Sequence, residues 1–85
     1  MNGETMLREA ANVVIERRRT YGDPSVSMDM VAKRWSITLR RPVTPAEVAL
    51  CLVDLKLARL AHDPGHHDSL VDVAGYVAVL KEVTR

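Results

Sequence analysis

The sequence predicts an all-α protein, a compact four-helix arrangement with short connections in one domain over residues 1–85. Three observations predict it. Apolar residues recur at helical spacing and nowhere alternate as in a strand. Turn and capping residues fall at three places and divide the chain into four segments. Phenylalanine is absent, so Leu, Val, Ile, Met and Ala must fill the core.

The first helix is expected from Glu4 to about Arg18, with Leu7, Ala10, Ala11, Val14 and Ile15 on its apolar side. The cluster Thr20-Tyr21-Gly22-Asp23-Pro24 ends it, with glycine before proline as helix termination favours. A second helix runs from Ser25 to about Leu39 behind a Ser or Asp cap, with Met28, Val31, Trp35 and Leu39 in register; Trp35 is read as core. The third start is the best defined, since Thr44-Pro45-Ala46-Glu47 combines a capping box with proline at the first helical position. That helix reaches about Ala61, where Asp63-Pro64-Gly65 stops it, and a fourth opens at Asp68 or Ser69 and ends near Val83.

Apolar residues surround the third helix. Leu50, Leu52, Val53, Leu55, Leu57 and Leu60 form no single stripe, and a helix apolar all round is buried on most sides. A domain of 85 residues has too little mass to bury it alone, so the expectation is a homo-oligomer, most simply a dimer.

Composition sets no global preference for a charged partner. Twelve basic residues against 11 acidic leave a formal charge of +1, with no global attraction to nucleic acid or an anionic membrane. No apolar run approaches the roughly 20 residues that cross a bilayer. The lone Cys51 makes no intrachain disulfide, and no signal-like segment opens the chain, so the expected compartment is cytoplasmic.

The candidate site lies in the last third. Lys56, Arg59, His66, His67, Asp68, Asp72, Gly75 and Tyr76 interrupt apolar helical sequence, where charge must be paired, held at an edge, or kept for a ligand. Lys56 and Arg59, at i,i+3, are placed to serve one anion; the alternative is pairing with Asp68 and Asp72 of the next helix. Asp68 and Asp72, at i,i+4, with Asp54 as a further carboxylate, are the residues that would hold Mg2+. Asp68 is more simply an N-cap, and Asp54 an arginine's partner. Gly75 inside a helix costs about 1 kcal/mol relative to alanine, which implies a backbone or ligand close to it. His62, His66 and His67 lack the spacing and second thiol of a zinc site and read as loop residues.

Upstream, Arg17, Arg18 and Arg19 lead into Tyr21 and Gly22 at the start of the second helix, whose first N–H groups can receive an anion. The plainer reading is a basic helix end complementing its dipole. Lys33, Arg34, Arg40 and Arg41 extend the basic character toward nucleic acid, yet only Trp35 and Tyr21 offer stacking and no recognition motif is present.

YGDP, MVAKRWSITL, VTPAEVAL, LVDLKLARL, HHDS and VDVAGY, in that order over Glu9 to Val83, resemble a family of small phage and prophage proteins of unknown function. The layout is similar, more remotely, to phage nucleotide-modification-associated domains and to the all-helical MazG-like nucleoside triphosphate pyrophosphohydrolases. The resemblance implies a nucleotide site lined by Tyr21, Gly22, Lys56, Arg59, His67, Asp68, Ser69, Asp72 and Tyr76. The doubled-glutamate EExxE motif and following ExxD that hold Mg2+ in the MazG-like enzymes are absent from this sequence.

Three functions follow. The first is a phage-type protein that binds a nucleotide or other phosphorylated ligand without catalysis or cofactor, to sequester a host signalling nucleotide or assist nucleotide modification. The second is a reduced Mg-dependent pyrophosphohydrolase using Asp72 with Asp68 or Asp54. The third is an oligomeric module that meets protein or nucleic acid through its arginines.

Overall fold

The computed structural model describes residues 2–85. Four helices follow one another, α1 (Gly3–Tyr21), α2 (Pro24–Leu39), α3 (Pro45–His62) and α4 (His67–Val83), and no strand occurs among the described residues. Helix α4 packs against all three others, with α3 its main partner, whereas α1 barely touches α2 and does not pack on α3. The result is a compact but flattened unit of 42 × 30 × 21 Å.

Each boundary has a local cause. Asn2 caps α1 by accepting the Thr5 N–H at 2.8 Å. The helix runs one turn beyond the expected Arg18, until Gly22 adopts φ 85° and donates its N–H to the Arg18 carbonyl at 2.9 Å. That left-handed conformation suits glycine alone among common residues. Asp23, not Ser25, caps α2: its carboxylate accepts the Ser25 N–H at 2.9 Å, with Pro24 as the first helical residue. This carboxylate occupies the helix start that the sequence offered to an external anion. In α3 the capping box forms as expected, Glu47 N–H to Thr44 Oγ1 at 3.1 Å and Thr44 N–H to Glu47 Oε1 at 2.9 Å.

The start of α4 departs from expectation. His66 is the cap, and neither Asp68 nor Ser69 is; its Nδ1 lies 3.3 Å from the Ser69 backbone N and 2.7 Å from Ser69 Oγ. An imidazole replaces the expected Asp68 carboxylate, which leaves Asp68 exposed in the first turn, where its charge complements the helix dipole.

Small residues make the core. Ala10, Ala32, Val48, Ala49 and Val71 are the buried apolar residues, joined by Ser69 and Gly75. The expectation that α3 is covered on most sides is overturned within one chain, because only Val48 and Ala49 of that helix are buried while Leu50, Leu55 and Leu57 are exposed. Trp35, expected in the core, is only partly covered. The buried residues of α4 are small, and its larger Leu70, Tyr76 and Leu80 are only partly covered.

The capping box gives a pH signature. The Thr44 backbone N–H, the Thr44 hydroxyl and Arg41 together hold the Glu47 carboxyl below the usual carboxylate range. Its stabilisation is therefore complete above the unfolded-state value and lost as pH falls through the folded one. Melting temperature should fall with acid more steeply in the wild type than in Glu47→Gln, as circular dichroism melts at neutral and acid pH will show. Thr44→Ala should cost about 1 kcal/mol at neutral pH.

Candidate functional site

A cleft of about 180 Å3 opens where the end of α1, the start of α2 and the second half of α4 meet. Val14, Met28 and Val79 give it an apolar lining, Tyr21 and Tyr76 contribute rings, and Arg17 and Arg18 line it from α1. The positions follow from helical period, since Val14, Arg17, Arg18 and Tyr21 fall on one face of α1. Gly22 turns the chain at the cleft, and Gly75, buried in α4, forms part of its wall. A Cβ built at Gly75 meets only Val14 Cγ2, at 3.9 Å, an ordinary contact. Packing against α1 does not require a glycine there.

Beside the cleft, the Asp72 carboxylate joins three helices. Its Oδ2 lies 3.1 Å from Lys56 Nζ of α3 and its Oδ1 3.5 Å from Arg17 Nη2 of α1. The Asp72 side chain is 18% exposed and that of Lys56 26%, so the pair is largely withdrawn from solvent, while Arg17 at 52% is not. Arg18 is held at 2.8 Å by Glu82, which also takes Arg85 at 3.2 Å.

The nine residues expected to line a nucleotide site divide into two groups. Tyr21, Gly22 and Tyr76 meet in the cleft, and Asp72 and Lys56 connect to it through Arg17. Arg59, in the last turn of α3, and His67, Asp68 and Ser69, in the first turn of α4, do not line the cleft. Arg59 Nη2 lies 3.2 Å from His66 Nε2 and pairs with neither Asp68 nor Asp72. His67 Nε2 contacts Glu9 of α1. Ser69 is buried against His66.

The carboxylates proposed for Mg2+ do not assemble. Asp54 lies on the face of α3 opposite Lys56, Asp68 is exposed, and both oxygens of Asp72 face cations. No group of three or more His, Cys, Asp or Glu able to hold a metal ion occurs among the described residues. No helix of the structure is long and apolar enough to cross a membrane.

Arg17 and Arg18 are the functional candidates that the sequence undervalued. Their spacing from Tyr21 carried the signal, but only the packing of α1 on α4 separates them from Arg19, which pairs with Glu16 on its own helix.

The model of a family described as a domain of unknown function (DUF6378) matches residues 5–84. The chain belongs to that family. It is similar to the Gene 55 protein of Mycobacterium phage L5, 35% identical over 69 residues that cover 80% of this chain and 44% of the phage protein. It is likewise similar to the Gene 55 protein of Mycobacterium phage D29, 30% identical over 81 residues, 94% of this chain and 54% of that one. The DUF6378 chain thus spans about half the length of the curated relatives it matches. No solved structure matches it. The phage-protein resemblance read from YGDP to VDVAGY is supported by these relatives.

Asp72→Ala should cost about 1–2 kcal/mol in urea denaturation. This is less than the ~3–5 kcal/mol of a fully buried broken pair, because Arg17 stays in solvent. Adding Lys56→Met to Asp72→Ala should recover part of the loss, since the residual cost comes from a stranded cation.

Proposed function

We propose that this DUF6378 protein binds a nucleotide, or a similar phosphorylated ring compound, in the cleft between Tyr21 and Tyr76, and that it works as an oligomer of itself. Gly75 carries the reading. A glycine inside a helix sacrifices about 1 kcal/mol relative to alanine, and here the neighbouring helix leaves room for a methyl group. What an added methyl would reduce is the cleft that Gly75 lines.

Size and chemistry support a ring. Ligand pockets usually reach about 300–1,000 Å3, whereas a dry cavity of about 150 Å3 holds a benzene-sized molecule. The 180 Å3 available here suit one planar ring, with the rest of the ligand outside. Tyrosine faces stack on any base, at about 1–3 kcal/mol each. Arg17 and Arg18 supply forked donors for phosphate. Each is half-exposed in its present ion pair, so a phosphate can replace Asp72 or Glu82 as its partner at little cost. Lys56 acts on this site only through Asp72. Binding of this kind needs no catalytic base or metal and fits sequestration of a host signalling nucleotide or assistance to nucleotide modification.

Titration calorimetry and thermal shift with a panel of nucleoside mono-, di- and triphosphates test the reading. Tyr76→Ala and Arg17→Ala should each weaken binding, by about 1–3 kcal/mol, while Arg59→Ala should leave it unchanged. Gly75→Ala should raise the melting temperature of the free protein, by up to about 1 kcal/mol of added stability, and weaken binding. If no nucleotide shifts the wild-type melt, and Gly75→Ala is purely stabilising, the cleft is not a nucleotide site.

A further inference from the structure

We infer that the outer face of α2 is the self-association surface, and that its occupant is a second copy of this chain packed antiparallel across a two-fold axis. The inference deepens the self-association proposed above and is independent of any ligand.

The surface area calls for a cover. The chain exposes 6002 Å2, about 1,000 Å2 more than folded monomers of 9.5 kDa expose by the scaling of area with mass. A standard interface removes about 800 Å2 from each partner. Docking of one second copy on each protomer therefore brings the surface back to the value expected for its mass.

The side chains of α2 indicate where. Val26, Met30 and Ile37 share one helix face and are 61%, 63% and 66% exposed. Met28 and Pro24, which line the cleft, lie on the opposite side, so a partner on the stripe leaves the cleft open. Exposed apolar residues at this spacing form a helix-packing ridge, whose Val26 end borders a groove shared with Pro45 of α3 and Val83 of α4.

The stripe is complementary to itself. Turned antiparallel about its centre, Val26 lies opposite Ile37 of the second copy and Met30 opposite Lys33 of the second copy, and Asp29 comes within one residue's rise of about 1.5 Å of that Lys33. Asp29 and Lys33 occupy the same flank of the stripe and already meet at 3.0 Å along the helix. A two-fold axis sets each against its opposite charge, as an isologous contact requires. This symmetry of apolar ends and alternating charge favours a second copy over an unrelated partner.

Sedimentation equilibrium over a concentration series, with circular dichroism as the folding control, tests the inference on the 85-residue chain. The wild type should reach twice the 9.5 kDa chain mass, and Ile37→Asp should stay at one chain mass with unchanged helicity. Asp29→Lys alone and Lys33→Asp alone should each dissociate about tenfold more readily, since both symmetry-related contacts become repulsive. Mixing the two variants in equal amounts should restore the dimer, because each then meets the opposite charge. A wild-type dimer indifferent to Ile37→Asp and to the charge exchange would overturn the α2 assignment while sparing self-association. A wild-type monomer at every concentration would overturn both. A monomer that binds anionic vesicles, and loses that binding with Ile37→Asp, would assign the stripe to a membrane surface instead.

Discussion

Packing of three helices on α4 is the constraint on which the rest of this fold depends. On the faces that meet its neighbours α4 presents Ser69, Val71 and Gly75, all buried and all small. Small residues bury little apolar area apiece. Hydrophobic stabilisation grows at roughly 25 cal/mol for each Å2 removed from water, so a core dominated by alanine and valine leaves an 85-residue chain with a modest driving force. Caps and ion pairs therefore matter more here than in a larger domain. Each helix begins with a side-chain cap, and Asp72 links α1 to α3 although those two helices do not pack on each other.

The same constraint creates the cleft. Where α4 carries Gly75, the α1 end and the α2 start leave a space lined by Val14, Met28 and Val79 and bordered by two tyrosines. Arg17 contributes to two features at once, lining this space and completing the Asp72 clasp. A ligand that draws Arg17 away from Asp72 would leave the carboxylate with Lys56 alone. Binding of the proposed ligand would thereby be coupled to the tie between α1 and α4 through one guanidinium. That is the thermodynamic sense in which occupancy and stability would be linked in this protein.

Large apolar residues are the other side of the same balance. Leu50, Leu55 and Leu57 on α3, and Val26, Met30 and Ile37 on α2, project from a unit only 21 Å thick. A layer two helices deep cannot cover both faces of every helix, because each helix with side chains is about 10–12 Å across. The apolar circumference of α3, legible in the sequence, signalled a shortage of cover. It did not reveal that α2 carries the more regular stripe.

Local chemistry made most of the helix framework readable. The Thr44-Pro45-Ala46-Glu47 box, the Gly22 stop and the all-helical class depend on residues within a turn of one another, and the sequence by itself determines such interactions. The cap of α4 was misread because His66 and Asp68 both lie within reach of the first turn and only the loop geometry chooses between them. Membership of the candidate site was readable only in part: Tyr21, Gly22 and Tyr76 meet, while Arg59, His67, Asp68 and Ser69 lie elsewhere. Lys56 and Arg59 are three residues apart on one helix, yet one turns to Asp72 and the other to His66. Sequence spacing places residues on a helix face; the tertiary structure alone decides which face meets which neighbour, because that depends on the packing of helices distant in the chain.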